Sequence, residues 1–274
     1  MSRQKSPRRP HKLLLYRHAV QHPAAEVAFL QRAYAHYNRR AAPTRLREDF
    51  AGTCAVAAEW VLMDQNHRAL AVESHRPTAR WAERHIIEPM GERERDLVLV
   101  EDDVLAVTGP KVDVVAALNF SVLIYHERGS MLGYMRHARR CLRSGGMLVL
   151  DLFGGPGAMR VGSQTRTVKQ EESGLRPYRY TWEQRKFDAL TQRIDCRIHF
   201  DYPDCARYEG AMRYDWRLWT LAELTGLAIE AGFQWAEVWL DRDTPHQGGR
   251  DGRYRPVRSI PNREDWVAYL IAGR

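Results

Sequence analysis

Short apolar runs alternate with helical segments along the first half of the chain. The runs predicted as strands lie at residues 46–50, 68–72, 97–100, 112–118 and 147–153. The helical segments between them lie at residues 54–63, 77–88 and 127–142. Strands that alternate with helices of this length predict a parallel sheet with helices on both faces. A ligand of such a sheet binds at the carboxyl ends of its strands.

A different pattern occupies residues 157–219. Segments that alternate polar with aromatic or aliphatic side chains lie at residues 178–188, 190–202 and 207–219. This alternation is typical of antiparallel strands with one buried face. We therefore predict an antiparallel β insertion at residues 157–219, placed as a substrate cap between the two parts of an α/β core at residues 46–156 and 220–274.

The net charge of +8 is concentrated at the N-terminus. Five of the 42 basic residues lie within residues 1–12, so the rest of the chain carries 37 basic and 34 acidic residues. A basic, proline-containing stretch of this kind predicts a disordered tail at residues 1–12, with a nucleic-acid arm as the alternative. Residues 13–45 are predicted as a helical segment, in which Val27, Leu30 and Tyr34 recur at helical spacing.

The location expected from the sequence is the cytoplasm. No stretch approaches the roughly 18 apolar residues that cross a bilayer, and no secretory core follows the basic N-terminus. The lack of such a stretch also predicts no membrane partner. The four cysteines form no Cys-x-x-Cys pair, which favours reduced thiols. Asp241, Asp243 and His246 are of types that bind metals, but a polar loop explains them better, and no metal is predicted.

The first predicted strand leads into a tight turn with the features of a cofactor-binding loop. This segment, REDFAGTC, comprises Arg47, Glu48, Asp49, Phe50, Ala51, Gly52, Thr53 and Cys54. Small residues let the backbone approach a ligand, and N–H groups at the start of the following helix can bind its carboxylate. The alternative is that Glu48 or Asp49 pairs with a neighbouring arginine at the surface.

Three further strand ends carry residues suited to the same ligand. They are Glu73 after the second strand, Asp102, Asp103 and Val104 after the third, and Asn119 and Phe120 after the fourth. At the second strand a carboxylate can accept hydrogen bonds from both hydroxyls of a ribose. At the third, a carboxylate can accept from an adenine amino group while the valine packs on the ring. The alternatives are a solvated acid, an acidic turn, and an asparagine that satisfies its own turn.

With these residues in place, the sequence resembles the class I S-adenosylmethionine-dependent methyltransferases. The similarity covers about residues 46–153 and resumes at Leu221. Glu48 matches the acid that ends that family's first strand, Glu73 its ribose-binding acid, and Asp103 its adenine-contacting position. The segments CLRSGGMLVLDLF and LTGLAIEAGFQWAEVW are similar to its fifth strand and its closing helix and strand. Cys54 departs from the pattern, because it replaces the third glycine of the turn.

The resemblance implies an α/β fold: a Rossmann-like, doubly wound sheet of seven strands, the last antiparallel, with the antiparallel β insertion. It implies S-adenosylmethionine as the cofactor, with its methionine end at residues 47–54 and its methyl group near Asn119 and Phe120. The expected activity is methyl transfer to a nitrogen or oxygen of a small-molecule acceptor. The alternatives are an RNA- or protein-directed methyltransferase and a non-catalytic, cofactor-binding regulator. Nucleic acid is less favoured, since Asn119-Phe120-Ser121 lacks the Asn/Asp-Pro-Pro-aromatic sequence of enzymes that methylate nucleic-acid amino groups.

The residues expected to bind the acceptor lie at the end of the insertion. They are Tyr214, Trp216, Arg217 and Trp219. On a strand, Tyr214 and Trp216 share one face and can line a pocket, with the insertion's own core as the alternative. No catalytic residue is assigned, but His126 and Tyr214 are candidates for a general base. For His126, a surface position at the start of a helix is the alternative.

Overall fold

The structure is a computed structural model that describes residues 9–39, 41–169, 174–241, 254–260 and 263–274. The chain divides into two compact units. The smaller unit comprises the described residues of Met1–Gln21 and Met159–Leu218. The larger unit comprises those of His22–Ala158 and Trp219–Arg274. Each unit is built on one β-sheet.

The helices and strands are numbered in chain order. The α-helices are α1 (Lys12–Val20), α2 (Pro23–Tyr37), α3 (Ala55–Met63), α4 (Arg76–Ala82), α5 (Arg128–Cys141) and α6 (Leu221–Glu230). The strands are β1 (Arg45–Asp49), β2 (Arg68–Val72), β3 (Leu97–Val100), β4 (Val112–Ala117), β5 (Leu142–Gly154), β6 (Gly162–Val168), β7 (Tyr178–Asp188), β8 (Arg193–Asp201), β9 (Tyr208–Arg217), β10 (Trp235–Asp241), β11 (Tyr254–Val257) and β12 (Trp266–Gly273). Short 3-10 or π-helical turns occupy Glu83–Ile87, Glu88–Asp96, Ser121–Ile124 and Pro156–Met159. Among the described residues, no helix is both long and apolar enough to span a membrane.

The larger unit contains an eight-stranded sheet in the order β11-β10-β12-β5-β4-β1-β2-β3. Strands β1 to β5 are parallel to one another, and β12 is antiparallel to both of its neighbours, β5 and β10. This order confirms the predicted doubly wound sheet with an antiparallel last strand. The edge strand β11, antiparallel to β10, extends the sheet beyond the seven strands that the resemblance implies.

The central strands of this sheet are buried on both faces. Every residue of β4 is buried, as are residues 147–152 of β5. Such near-continuous apolar runs are typical of parallel strands covered by helices on both sides. Helix α3 follows β1 after a short turn and buries Val56, Trp60 and Val61. A turn between a buried strand and a buried helix is held in place at both of its ends.

The smaller unit is an antiparallel sheet, in the order β6-β7-β8-β9, with helix α1 packed on it. Leu15 and Ala19 of α1 share one buried cluster with Tyr178, Ile198 and Phe200 of the sheet. The hydroxyl of Tyr178 donates to the carbonyl of Leu15 at 2.7 Å. The helical segment predicted at residues 13–45 is therefore two helices, of which α1 belongs to the smaller unit and α2 to the larger.

The sequence pattern predicts three strands in the insertion, and the structure has a fourth, β6. Residues 162–167 of this strand are all exposed, and Val168 is its buried residue. An edge strand without alternating apolar side chains gives no periodic signal in the sequence.

The predicted basic tail also differs from the structure in its described part. The guanidinium of Arg9 lies 3.6 Å from the centroid of the Tyr208 ring and donates to the carbonyl of Ala206 at 3.1 Å. The ammonium of Lys12 donates to the carbonyl of Ala211 at 3.1 Å. Residues 9–12 thus contact the sheet of the smaller unit, and residues 1–8 lie outside the described residues.

Candidate functional site

The carboxyl ends of the parallel strands lie in one row along an edge of the large sheet. Asp49, at the end of β1, pairs in register with Val72 of β2 and Ala117 of β4. Val72 pairs with Val100 of β3, and Ala117 pairs with Leu150 of β5. The loops that follow these residues therefore meet at one edge, and that edge carries the four predicted groups.

The turn after β1 has the backbone of a loop with three glycines although it contains one. Phe50, Gly52 and Cys54 have φ angles of 55°, 55° and 58°, all in the left-handed region. Glycine enters this region freely, whereas other residues are strained there by about 1–3 kcal/mol each. Cys54 thus adopts the conformation of the glycine that it replaces. Burial raises the pKa of the Cys54 thiol well above its ordinary value, which keeps the thiol protonated.

Glu73 connects the end of β2 to this turn. Its Oε2 accepts from the N–H of Gly52 at 2.8 Å, and its Oε1 accepts from the N–H of His75 at 2.7 Å. The side chain is partly exposed at the edge of the sheet. A carboxylate has about four lone-pair positions, so Glu73 can accept further hydrogen bonds from a ligand.

Glu48 is buried behind the turn, with 3% of its surface exposed. Its Oε2 accepts from the N–H of Ala57, in the first turn of α3, at 2.8 Å. Burial raises the pKa of Glu48 to about 8, with smaller upward contributions from the negative charges of Glu26 and Glu73. Glu48 is therefore an interior acid and not a member of a surface ion pair.

Arg47 and Asp49 form an ion pair in the interior, where neither side chain is exposed. The Nε of Arg47 lies 2.6 Å from Oδ1 of Asp49, and the other carboxylate oxygen accepts from the hydroxyl of Tyr134 at 3.1 Å. Ala51 and Thr53 are also buried, whereas Phe50 and Gly52 are the partly exposed residues of the turn. These two residues are the part of the turn that a ligand can reach.

Asp102 and Asp103 are exposed in the loop after β3. Oδ1 of Asp102 accepts from the N–H of Asp103 at 2.7 Å, and Oδ1 of Asp103 accepts from the N–H of Leu105 at 2.7 Å. These bonds shape the loop and leave other acceptor positions on both carboxylates. Val104 is only 4% exposed, so little of its surface is available to a ligand ring.

Asp151, which is not among the predicted site residues, organises the turn after β4. It is fully buried on β5, and its two oxygens accept from the N–H groups of Asn119 at 2.9 Å and of Phe120 at 2.7 Å. Asn119 and Phe120 both have left-handed backbones, with φ angles of 57° and 62°. A lone acid in the apolar run MLVLDLF is a signal for such a role, because a buried charge requires hydrogen-bond partners.

Aromatic rings lie beside the turns that follow β1 and β4. The ring centroid of Phe50 is 6.1 Å from that of Tyr125 and 5.6 Å from that of Tyr134. The indole N–H of Trp219 donates to the carbonyl of Tyr125 at 2.9 Å. Burial raises the pKa of Tyr125 above its ordinary value, so its hydroxyl keeps its proton at neutral pH. His126, the next residue, is partly exposed before α5 begins.

The other candidates for acceptor binding lie in the smaller unit. The rings of Tyr214 and Trp216 stack on β9 with centroids 4.2 Å apart, and Trp182 of β7 lies about equally close to both. Tyr214 also lines an open cavity of about 540 Å³ whose other walls are mostly charged. Burial and the neighbouring Tyr16 raise the pKa of Tyr214 well above its ordinary value, which disfavours the phenolate that a general base would need. Arg217 is partly buried at the end of β9.

The predicted polar loop after β10 is described at its first residue alone. Asp241 is buried at the end of β10, whereas Asp243 and His246 lie outside the described residues. In the described part of the chain, no group of three or more His, Cys, Asp or Glu side chains is arranged to hold a metal ion.

Comparison with known proteins gives matches among solved structures. No family model matches the chain, and no curated protein matches it. The amino pentose methyltransferase CalS10 from Micromonospora echinaspora, solved with S-adenosylmethionine bound, is 16% identical with a TM-score of 0.67, over 95% of this chain and 94% of that one. The sugar N-methyltransferase KedS8 from a Streptoalloteichus species is 18% identical with a TM-score of 0.65, over 100% of this chain and 96% of that one. The chain has the class I methyltransferase fold.

A further methyltransferase of this fold, CcbJ from Streptomyces caelestis, is 19% identical with a TM-score of 0.62, over 92% of this chain and 97% of that one. These likenesses cover both units of the chain, so the inserted antiparallel sheet is part of the shared methyltransferase fold. At identities below 20%, they are likenesses of fold, and the chemistry has to be argued from this chain's own residues.

Within this methyltransferase fold, Glu48→Gln is expected to make stability less sensitive to pH. The unfolded wild-type chain releases the Glu48 proton near pH 4.5, whereas the folded chain holds it to about pH 8. Rising pH across this interval therefore favours the unfolded state of the wild type. Glutamine has no proton to lose, and its carbonyl oxygen can still accept from Ala57.

The measurement is urea denaturation of both proteins at pH 5 and pH 8.5. The free energy of unfolding of Glu48→Gln minus that of wild type should increase by up to about 4 kcal/mol from pH 5 to pH 8.5. If the variant and wild type differed in free energy of unfolding by the same amount at both pH values, a raised pKa for Glu48 would be contradicted.

Proposed function

We propose that the protein is an S-adenosylmethionine-dependent methyltransferase that methylates a nitrogen or oxygen atom of a small molecule. The observation that carries the proposal is the turn of three left-handed residues after β1, hydrogen-bonded through Gly52 to Glu73 at the end of β2. The turn presents main-chain groups to a ligand, and Glu73, at the end of the next strand, can accept hydrogen bonds from a ribose. Asp102 and Asp103 extend the same edge on one side, and Asn119 and Phe120 extend it on the other.

Each part of the cofactor has a group of suitable chemistry in this proposal. The turn at residues 50–54 takes the methionine end at Phe50 and Gly52, its partly exposed residues, and the dipole of α3, which begins directly after the turn, favours a carboxylate there. Glu73 accepts from the two ribose hydroxyls in addition to its main-chain bonds. Asp102 or Asp103 accepts from the adenine amino group. Arg47, Glu48, Asp49, Ala51 and Thr53 support the turn from the interior.

When bound, S-adenosylmethionine supplies a methyl group activated on a sulfonium sulfur. The protein's task is to hold the acceptor atom in line with that methyl group and to exclude water. The turn at Asn119 and Phe120, fixed by Asp151, lies at the strand end assigned to the methyl group. A general base is needed only for an acceptor that arrives protonated. The ring of Tyr125 lies beside Phe50 of the first turn, with centroids 6.1 Å apart, and in this proposal its hydroxyl orients an acceptor by donating a hydrogen bond.

The class of acceptor follows from charge and from the neighbours. Outside residues 1–12 the chain is close to neutral, with 37 basic and 34 acidic residues, so it offers no strong field for a nucleic-acid backbone. Two structural neighbours are described as an amino pentose methyltransferase and a sugar N-methyltransferase. Amino sugars are therefore the first acceptors to test. An acceptor-binding role for Tyr214, Trp216, Arg217 and Trp219 stays a prediction.

The test is calorimetric titration with S-adenosylmethionine and S-adenosylhomocysteine, followed by mass spectrometry of reactions with amino sugars and with other small amines and alcohols. Dissociation constants in the micromolar range and a product heavier by one methylene unit are the expected results. Tight cofactor binding without a product on any acceptor would favour the non-catalytic alternative. Absence of binding by a folded protein would refute the proposal.

A further inference from the structure

Arg47 is a fully buried cation whose guanidinium contacts three parts of the larger unit. Its Nε donates to Oδ1 of Asp49, on β1 itself, at 2.6 Å. Its Nη1 donates to the carbonyl of Val107 at 2.6 Å, and its Nη2 to the carbonyl of Val104 at 2.8 Å. Nη1 also lies 3.1 Å from the sulfur of Cys141 on α5. One side chain thus links the end of β1, the loop after β3 and helix α5.

The loop at residues 101–108 carries the two acids assigned to the adenine. Hydrogen bonds within it are local: the N–H of Leu105 donates to the Asp103 carboxylate, and the N–H of Ala106 donates to the Asp103 carbonyl at 2.9 Å. Local bonds of this kind fix the shape of a loop but not its place on the rest of the unit. The bonds from Arg47 attach two of its carbonyls to β1.

We propose that Arg47 is a positioning residue that sets where the adenine-binding loop lies relative to the methionine-binding turn. This inference rests on the proposed function, because it assigns the loop and the turn to two halves of one cofactor. Asp49, the ionic partner of Arg47, directly precedes Phe50 in the turn, so the same guanidinium holds both segments. A change at Arg47 therefore alters the spacing of the two half-sites without removing a group that touches the cofactor.

The guanidinium group suits this role in a way that other side chains do not. It is planar and has five N–H donors in fixed directions, which lets it serve a carboxylate and two carbonyls at once. The single ammonium of lysine cannot span the same set. A buried ion pair adds little net stability compared with apolar side chains of similar volume. Stability alone therefore does not explain a charge at residue 47, whereas positioning of the loop does.

Arg47→Lys tests the proposal, because it keeps the charge and most of the volume. We expect the amides of Leu105 and Ala106 to exchange hydrogen with solvent about tenfold faster than in wild type, since the loop loses two bonds from a charged donor. The amides of Leu123 and Tyr125, in the turn after β4, should exchange at the wild-type rate. The Kd of S-adenosylhomocysteine, and of methylthioadenosine, which lacks the amino-acid end, should each rise about tenfold. Unchanged exchange at Leu105 and Ala106 would overturn the proposal.

His137→Phe is the matched variant, because it keeps most of the side-chain volume and removes Nε2, which lies 3.0 Å from the same Val107 carbonyl. Its exchange rates at Leu105 and Ala106 should stay within about twofold of wild type. A tenfold increase in these exchange rates would show that His137 holds the loop in place, and it would overturn the proposal even if Arg47→Lys does not fold. The two hypotheses fail separately. Absence of S-adenosylhomocysteine binding by wild type refutes the proposed function, whereas intact binding with unchanged loop exchange in Arg47→Lys refutes the role of Arg47 alone.

Discussion

Glu73→Ala is expected to weaken S-adenosylhomocysteine binding by about a hundredfold, because it removes a carboxylate assigned two hydrogen bonds to the ribose. The same change removes the acceptor for the N–H of Gly52, 2.8 Å away, and so loosens the turn assigned to the methionine end. Calorimetric titration at one pH and ionic strength measures the effect directly. Circular dichroism of the variant should match wild type, since Glu73 is partly exposed and follows the strand.

Two further variants separate the ribose contact from a general loss of charge at this edge. Glu73→Gln keeps an oxygen for Gly52 but loses the negative charge, so its Kd should rise about tenfold. Glu101→Ala removes an exposed acid one strand away, which pairs with Arg76 at 3.4 Å, and its Kd should stay within about threefold of wild type. If Glu101→Ala weakened binding as much as Glu73→Ala, a specific ribose contact would be refuted.

The row of strand ends was predictable because it depends on properties that a sequence displays. Apolar runs separated by helical segments specify parallel strands, and parallel strands place their carboxyl ends at one edge. The acid that follows β2 and the two acids that follow β3 are visible as polar residues directly after apolar runs. In the structure, Asp49 pairs in register with Val72 and Ala117, so the ends of β1, β2 and β4 lie side by side.

The shape of the turn after β1 was not predictable in the same way. Phe50 and Cys54 have no preference for the left-handed backbone that both adopt, with φ angles of 55° and 58°. Neighbouring structure imposes it: Cys54 donates to the carbonyl of Ala51 at 2.8 Å, and Ala51 donates to the carbonyl of Val72 at 2.9 Å. Tertiary contacts therefore impose a glycine-type backbone on a turn that contains a single glycine.

The hydrogen-bond partners of Arg47 and Asp151 could not be predicted from the sequence for a related reason. Each side chain bonds to groups on a strand or loop distant in sequence, 57 residues away for Arg47 to Val104 and 32 for Asp151 to Asn119. A charge within an apolar run signals that partners exist, but it does not identify them. Likewise, the helical segment predicted at residues 13–45 did not show that its first part, α1, packs on the sheet of the smaller unit.

Asp151→Asn is expected to slow methyl transfer at least tenfold while the Kd of S-adenosylhomocysteine changes by less than about threefold. Asparagine presents one oxygen to the two N–H groups of Asn119 and Phe120, so one buried donor faces an NH₂ group and loses its bond, at about 1–3 kcal/mol. Phe120 is held in a strained left-handed conformation, which relaxes once the carboxylate no longer fixes it. The proposed function assigns this turn to the region of the methyl group and not to the ribose or adenine, so we expect turnover to fall more than binding.

Asp113→Asn is the matched control for this experiment, because Asp113 also accepts from two successive main-chain N–H groups, at the opposite ends of the strands. It is 6% exposed on β4, and its Oδ2 accepts from the N–H groups of Thr44 and Arg45, each at 2.8 Å. Both variants should lower the midpoint of thermal unfolding. Asp151→Asn leaves the N–H of Asn119 or Phe120 without its acceptor, and Asp113→Asn puts an NH₂ group where Oδ1 of Asp113 accepts from Arg143 at 2.9 Å. Only Asp151→Asn should slow turnover and speed hydrogen exchange at Leu123, whose N–H donates to the Phe120 carbonyl at 3.1 Å. Equal loss of turnover in both variants would reduce Asp151 to a residue that stabilises the fold.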